Sequence, residues 1–307
     1  MADTIRRGAA HHGRTGALLA LSLLIVILAV SLLEPGWAHG ADDGSNSAFA
    51  GDDPNATAAA TATPVTVQYG KDARQYYLAW IPPQPTTRTA VVVVHGGYWI
   101  GGSPTSVSGL NKKLYADGIP SFSVGYRLAE EAKWPAQRTD VLAAMSDIKS
   151  KADSYAISPR RVALIGSSAG GHIALAIAST EGAKATCAAI SYSAPTSIDL
   201  AQSDAGGDAR RDRLATAAQR LAPTVKQKKT ANLPVSPSSS DAPALLFAGQ
   251  REWLPYVNSS LYVNAYKGTG LAVQPVILSA VSEHAQAYAL NMPLVWRMTT
   301  KFLDEHC

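Results

Sequence analysis

Short runs of β-branched and other apolar residues alternate with helix-like segments from about Pro64 to the end of the chain. The run TAVVVVHGG at 89–97 is continuously apolar before its glycines, which is typical of a strand buried on both faces of a sheet. The segment at 136–155 repeats apolar residues at the spacing of one helical face. Regular alternation of buried strands with helices predicts an α/β fold with a mostly parallel central sheet and helices on both faces.

Further strands and helices follow the same alternation. The predicted strands lie at 65–70 and 75–81, as an opening hairpin, and at 89–97, 119–127, 161–165, 185–193, 242–249 and 271–280. The predicted helices lie at 110–118, 136–155, 169–180, 257–270 and 294–306. Ligands of such sheets bind at the carboxyl ends of the strands, so functional residues are expected there.

A basic stretch, ARRDRLATAAQRLAPTVKQKK at 209–229, lies within an insertion at 200–240 that interrupts the alternation. The protein has a formal net charge of +4, but this stretch lacks the aromatic side chains that accompany basic residues at nucleic-acid sites. We therefore expect a solvated helix and loop here, and no nucleic-acid partner.

The N-terminus has the residue order of an export signal. Three arginines precede an apolar run at 17–33, which is followed by Pro35-Gly36 and then by small residues. Because the run is long for a signal peptide and short for a membrane span, residues 1–40 are either a signal peptide or a retained N-terminal membrane anchor. Both alternatives predict a secreted or cell-envelope protein, outside the cytoplasm.

Residues 41–63 contain almost no large apolar side chains. Such a segment cannot bury enough surface to offset its ordering entropy, which predicts a flexible linker. The globular domain is then expected at 64–307, an acceptable length for one α/β domain. Its two cysteines, Cys187 and Cys307, are too few for a disulfide scaffold or a structural zinc site, and they either pair or remain free thiols.

The segment Gly166-Ser167-Ser168-Ala169-Gly170 fits the pattern G-x-S-x-G, with a predicted strand before it and a predicted helix after it. That context is typical of a sharp turn that exposes the hydroxyl of its central serine at the edge of a sheet. The flanking positions must lack bulk, because strand and helix approach closely there. The pattern predicts Ser168 as a nucleophile and Ser167 as its small neighbour.

A serine hydroxyl needs a base, and chain position separates the histidines that could serve. In folds with this turn, the base follows both the nucleophile and the acid along the chain. Six of the seven histidines lie before Ser168, on the helix after it or at the chain end: His11, His12, His39, His95, His172 and His306. His284, just after the predicted strand at 271–280, is the predicted base.

The acid that orients the base should follow the preceding strand. The predicted strand at 242–249 leads directly to Glu252, which is the preferred candidate. A glutamate can fulfil the role, since the task is to hold the imidazole tautomer and stabilise the imidazolium. Asp199, after the strand at 185–193, and Asp241 remain alternatives.

Acyl transfer also needs donors for the negative charge that develops on the carbonyl oxygen. The strand at 89–97 ends in His95-Gly96-Gly97, at the place where such motifs contribute backbone N–H groups. The predicted oxyanion donors are the N–H groups of Gly97, Tyr98 and Ala169. His95 is expected to brace the loop by hydrogen bonding.

Three motifs within residues 90–180 occur in the order and spacing of a known family: HGGYWIGG, YRLAEEAKWPAQRTDV and GSSAGGHIALA. They resemble the esterase/lipase branch of the α/β-hydrolases, which includes hormone-sensitive-lipase-like and feruloyl- or acetyl-xylan-esterase-like enzymes. PALLFAGQREWLPYVNS and SEHAQAY extend the resemblance, with Glu252 where the family usually has Asp. The resemblance implies an α/β-hydrolase fold in which the insertion at 200–240 forms a small cap. The HGGYW variant is also similar to arylformamidases, which hydrolyse formyl amides.

Motifs at three strand ends and the resemblance together predict a serine hydrolase that cleaves carboxylic esters through an acyl-enzyme intermediate. Its partner is expected to be a small-molecule ester, and the predicted chemistry needs no metal or organic cofactor. Two alternatives stay open: an arylformamidase or amidase-type hydrolase, and a catalytically silent hydrolase fold used for binding.

Overall fold

The computed structural model describes residues 62–206 and 208–307, whose strands form one sheet in the order β1-β2-β4-β3-β5-β6-β7-β8. The strands are β1 (Val65–Gln68), β2 (Tyr76–Trp80), β3 (Ala90–Val94), β4 (Ser121–Val124), β5 (Val162–Ser167), β6 (Ala189–Tyr192), β7 (Ala244–Gly249) and β8 (Val273–Leu278). The α-helices of the described residues are α1 (Ser108–Ala116), α2 (Ala136–Ser150), α3 (Ala169–Thr180), α4 (Ile198–Ser203), α5 (Ala209–Leu221), α6 (Val225–Ala231), α7 (Val257–Ala265), α8 (Ala287–Asn291) and α9 (Pro293–His306).

The sheet is mostly parallel, as predicted. β1 pairs with β2 and β2 with β4 in antiparallel fashion, whereas all other neighbours pair in parallel. The carboxyl ends of β3 to β8 therefore meet at one edge of the sheet. Each predicted strand and helix has a counterpart, and the α/β fold class is confirmed.

Both faces of the sheet are buried, and β3 illustrates the reason. Val92 and Val94 belong to one core cluster, and Val91 and Val93 belong to the cluster on the opposite face. Because successive side chains of a strand point to opposite faces, both positions must be apolar when helices cover both sides. This explains the continuous apolar run.

The insertion contains more helix, and buries more of it, than predicted. Leu214 and Leu221 of α5 are buried, so the helix is amphipathic rather than fully solvated. The lysine-rich segment that follows also forms a helix, α6, where a loop was expected. Thr224 and Gln227 cap its N-terminus reciprocally, which is a local signal for a helix start.

Cys187 and Cys307 form a disulfide with a Cα–Cα distance of 5.3 Å, which joins the segment before β6 to the end of α9. Of the two alternatives for these cysteines, the structure contains the paired one. No helix among residues 62–206 and 208–307 is long and apolar enough to cross a membrane. The predicted signal peptide or anchor at 1–40, and the predicted linker up to residue 61, lie outside the described residues.

Candidate active site

Ser168 lies on a sharp turn between β5 and α3, with φ 53° and ψ −116°. A non-glycine residue in this region of φ is strained, and such strain is concentrated at functional sites. The flanking glycines permit the turn. A Cβ atom at Gly166 would lie 2.3 Å from the oxygen of Gly170, and one at Gly170 would lie 2.1 Å from the oxygen of Val94. The predicted need for small flanking residues is confirmed.

His284, on the loop after β8, reaches Ser168 across the end of the sheet. Its Nε2 lies 3.0 Å from Ser168 Oγ, which is hydrogen-bond distance. The Trp253 ring packs against the imidazole with 4.6 Å between ring centroids. The structure thus brings together the two residues that the sequence predicts as nucleophile and base.

Glu252 follows β7 and lies behind His284. Its Oε2 is 3.5 Å from His284 Nδ1, within ion-pair range, and its side chain is 1 % exposed. Neither His284 Nδ1 nor Glu252 Oε1 has a hydrogen-bond partner among the described residues. Glu252 is therefore beside the base, with the connecting hydrogen bond still unformed.

The two alternative acids make other contacts. Asp199 is exposed and accepts a hydrogen bond of 2.7 Å from Asn232 Nδ2. Asp241 is buried and accepts a hydrogen bond of 2.7 Å from the Tyr266 hydroxyl. Of the three candidate acids, Glu252 is the one that the structure places against His284.

Two hydroxyl groups that the sequence analysis missed contact the same carboxylate. Ser193 Oγ, just after β6, lies 2.8 Å from Glu252 Oε2. The Tyr288 hydroxyl, on α8, contacts the same oxygen and is buried. Neither residue belongs to a recognisable motif, although Ser193 lies at a strand end and Tyr288 lies four residues after His284, and both positions indicate proximity to the site.

The glycine-rich loop after β3 lies directly against the Ser168 turn. A Cβ atom at Gly96 would lie 2.8 Å from the oxygen of Ser167 and 3.2 Å from Ser168 Cβ. Gly97 and Tyr98 both have positive φ, 117° and 58°. Among the hydrogen bonds between described residues, none uses the backbone N–H of Gly97, Tyr98 or Ala169. These predicted oxyanion donors remain available to a ligand.

His95 holds the base of this loop. Burial lowers the pKa of His95 to about 4, so the ring is neutral at pH 7. Its Nδ1 donates to the Gly96 oxygen over 2.8 Å, and its ring stacks on Tyr126 with centroids 4.3 Å apart. This is the bracing hydrogen bond expected for His95.

His172 serves the structure rather than the site. It is buried on α3, and burial lowers its pKa to about 4. Its Nε2 donates to the oxygen of Ala231 over 2.8 Å. The sequence predicts that His172 is not the base, because it lies one turn into the helix. Its buried position and its bond to Ala231 agree with that prediction.

A cleft of about 470 Å³ opens beside Ser168 and His284, with Gly97, Tyr98, Gln286 and Leu290 among its lining residues. No group of three or more His, Cys, Asp or Glu side chains in the described part of the chain is arranged to hold a metal ion.

Tyr98 of the cleft stacks on Trp253, with 5.8 Å between the ring centroids. Two arginines of helix α5 pack against these rings. Arg213 Cζ is 4.9 Å from the Tyr98 ring centroid, and Arg210 Cζ is 5.8 Å from that of Trp253. The insertion therefore forms one rim of the site.

Residues 79–258 match the model of the BD-FAE family. Among curated proteins, the chain is 34% identical over 112 residues to an ethyl acetate hydrolase of Pseudomonas putida, with 35% of each chain covered. It is 32% identical over 111 residues to the esterase LipC of Mycobacterium tuberculosis, covering 35% of this chain and 27% of that protein. The chain thus spans about a third of the length of these curated relatives.

Solved structures share the fold at low sequence identity. A truncated carbohydrate esterase from gut microbiota superposes with a TM-score of 0.67 at 20% identity, covering 80% of this chain and 98% of that one. An esterase 2 of Thermogutta terrifontis, phosphonylated by sarin, gives a TM-score of 0.64 at 19% identity, covering 79% and 93%.

Proposed function

The chain belongs to the BD-FAE family and has an α/β-hydrolase fold, and on that premise we propose that it is a serine hydrolase of carboxylic esters. The observation that carries the proposal is the 3.0 Å contact between Ser168 Oγ and His284 Nε2, made from a strained turn at the end of β5. A serine–histidine hydrogen bond with a buried carboxylate behind the histidine is the arrangement that activates a serine for acyl transfer.

The proposed reaction begins when Ser168 Oγ attacks the ester carbonyl and passes its proton to His284 Nε2. The carbonyl oxygen takes the negative charge, which the N–H groups of Gly97, Tyr98 and Ala169 would stabilise. The alcohol leaves with the proton from His284, and the acyl group stays on Ser168. Water then attacks the acyl-enzyme with His284 as base, and the carboxylic acid is released.

Glu252 is proposed to hold the proton on His284 Nδ1 and to stabilise the imidazolium. Its oxygen lies 3.5 Å from Nδ1, so only a small movement is needed for a hydrogen bond to form. Apo sites often have long hydrogen bonds that tighten when substrate binds.

The proposed substrate is a small ester with a short acyl group. A cleft of about 470 Å³ has the size of sites that bind small molecules. Relatives are named ethyl acetate hydrolase, in Pseudomonas putida, and acetyl esterase, in Salmonella. Both names point to two-carbon acyl groups.

The test is hydrolysis of p-nitrophenyl acetate and longer p-nitrophenyl esters by the purified full chain. Ser168→Ala should lower kcat by about 10⁴-fold or more, because the nucleophile is lost. The neighbouring Ser167→Ala should stay within about tenfold of the wild-type kcat, since that hydroxyl makes no proposed contact with substrate. Equal activity of Ser168→Ala and wild type would rule out the mechanism.

Hydrolysis of an amide is the second candidate. Tyr98 lies within the HGGYW motif, which is similar to that of arylformamidases, and a rabbit relative at 36% identity over 101 residues is named arylacetamide deacetylase. Parallel kinetics on an N-formyl aryl amine and an aryl acetate compare the two, and a higher kcat/KM for the ester counts against this candidate. A catalytically silent binding protein is excluded if a fluorophosphonate probe labels Ser168.

We also propose export, with residues 17–33 as either a cleaved signal or a membrane tether. The disulfide between Cys187 and Cys307 supports this, because disulfides persist in oxidising compartments and are rare in the cytosol. Expression of the full chain in bacteria, fractionation and intact-mass measurement test the proposal. A cytosolic protein of full mass with two free thiols would contradict it.

A further inference from the structure

Both hydroxyl groups that touch Glu252 reach the same oxygen, Oε2, and leave the other without a partner. From these contacts we infer that Ser193 and Tyr288 are positioning residues, which fix Oε2 beside His284 Nδ1, 3.5 Å away. We call this pair of hydroxyls the carboxylate clamp. The inference rests on the proposed hydrolase function, in which Glu252 orients His284.

The clamp is buried throughout. Ser193 is 1% exposed, Tyr288 is 0% exposed and the Glu252 side chain is 1% exposed. At such burial a carboxylate without donors would be costly, and hydrogen bonds from hydroxyl groups to a charged acceptor are among the stronger ones. The two hydroxyls therefore supply the polar contacts that let Glu252 occupy this position.

Backbone groups orient both hydroxyls toward the carboxylate. The N–H of Gly249 donates to the Tyr288 hydroxyl oxygen over 2.9 Å, and the N–H of Ala285 donates to Ser193 Oγ over 2.9 Å. Each hydroxyl has one proton, and the lone pair that accepts the N–H leaves that proton free to point elsewhere. Oε2 is the charged acceptor within reach of both.

Both hydroxyl groups donate their hydrogen bond to the carboxylate of Glu252. Ser193 Oγ is 3.0 Å from the Tyr288 hydroxyl and 2.8 Å from Oε2, so the carboxylate is both the nearer and the stronger acceptor. Burial and the neighbouring Glu252 carboxylate hold the pKa of Tyr288 well above its usual range, so Tyr288 keeps its proton and donates.

The clamp also connects the ends of β6, β7 and β8, and Glu252 and His284 follow the last two. Ser193 follows β6, Gly249 ends β7 just before the Glu252 loop, and Ala285 directly follows His284. Because the clamp holds Oε2 at 3.5 Å from His284 Nδ1, a small approach of the imidazole is enough to form the hydrogen bond.

The variants Tyr288→Phe and Ser193→Ala test the clamp, each made in wild type and in a Glu252→Ala background. Each should lower kcat for p-nitrophenyl acetate about 10- to 100-fold with little change in KM, which is the worth of one hydrogen bond to a charged group. Neither should lower kcat further when Glu252 is already alanine, because the clamp acts through that carboxylate.

Tyr192→Phe is the matched control. Tyr192 is equally buried, and its hydroxyl bonds Thr299 over 2.7 Å rather than Glu252. It should keep kcat within about threefold of wild type in both backgrounds. A similar loss of kcat for Tyr288→Phe with and without Glu252 would mean a general packing role, and wild-type kcat in both clamp variants would overturn the inference.

A readout without turnover separates failure of the clamp from failure of the hydrolase proposal. In protein with ¹⁵N-labelled histidine, a hydrogen bond to the carboxylate should shift the His284 Nδ1 proton strongly downfield. That resonance should move upfield in Ser193→Ala and Tyr288→Phe and persist in Tyr192→Phe. An unchanged resonance in both clamp variants contradicts the clamp, even if the protein hydrolyses no ester. If wild type is inactive but the resonances shift as expected, only the proposed hydrolase function is contradicted.

Discussion

At the scale of single residues, the closest approach in the site is between Gly96 and the Ser168 turn. Gly96→Ala would put a Cβ atom 2.8 Å from the oxygen of Ser167, a distance that real Cβ contacts do not reach. The backbone must shift by some tenths of an ångström, and Ser168 shifts with it. We expect kcat/KM for p-nitrophenyl acetate to fall by about 100-fold, since small misplacements of reacting groups have effects of that size.

Gly101→Ala provides the control within the same loop, because its Cβ atom would meet only the oxygen of Gly97, at an ordinary 3.7 Å. It should retain kcat/KM within a few-fold of wild type and a similar melting temperature. If Gly96→Ala were as active as Gly101→Ala, the loop would not be packed on the turn as the structure has it.

Chain order was sufficient to select Ser168 and His284, because strand ends in a parallel sheet meet at one edge whatever their separation in sequence. The same order ranked Glu252 above Asp199, and the structure places Glu252 beside His284. The clamp could not be predicted, because a serine and a tyrosine without a motif are common and their partners are 59 and 36 residues away in sequence.

At the scale of elements, His172 links two helices. It lies on α3, and its Nε2 donates to the oxygen of Ala231 at the end of α6, where helix carbonyls lack intrahelical partners. Burial lowers the pKa of His172 to about 4, below the usual value of about 6.5 for an unfolded chain. Between about pH 4 and pH 6.5, His172 is therefore protonated in the unfolded state but neutral in the folded state.

We expect the contribution of His172 to the unfolding free energy to be constant above about pH 6.5 and to decrease as the pH falls toward 4. The part due to His172 amounts to about 3 kcal/mol. Urea denaturation of wild type and His172→Gln at pH 7.5, 5.5 and 4.5 isolates this part. The difference between the two proteins should become smaller at low pH, because glutamine does not titrate, and a constant difference would contradict the assignment.

Strands were easier to predict than the helices of the insertion. β3 and β5 are short, continuous apolar runs that lead into glycines, a pattern typical of strands buried on both faces, and α3 begins and ends at the predicted residues. Helix α6 is short and rich in lysine, and α8 has only 5 residues. Their stability comes from a capping box and from tertiary contacts, which a periodicity of apolar residues does not reveal.

At the scale of the whole molecule, the sheet explains why distant sequence segments form one site. Ser168, Glu252 and His284 follow β5, β7 and β8, the Gly97 loop follows β3, and the parallel register brings all these ends to one edge. The insertion between β6 and β7 adds α5 as a rim on the same edge. The alternation of strands and helices in the sequence predicts the fold class. The contacts between α5 and the site join side chains that are distant in sequence, and no local sequence pattern predicts such pairs.

The disulfide stabilises the same architecture from the chain end. It closes a loop over a sequence separation of 120 residues and so ties α9 to the segment before β6. A cross-link over so long a loop restricts the unfolded chain strongly, and its removal typically costs about 2–5 kcal/mol of unfolding free energy.

The double variant Cys187→Ser/Cys307→Ser should lose this amount in urea denaturation, and dithiothreitol should destabilise wild type by a similar amount while leaving the variant unchanged. Identical urea midpoints for reduced and oxidised wild type would show that the bond does not restrict the unfolded chain enough to stabilise the protein.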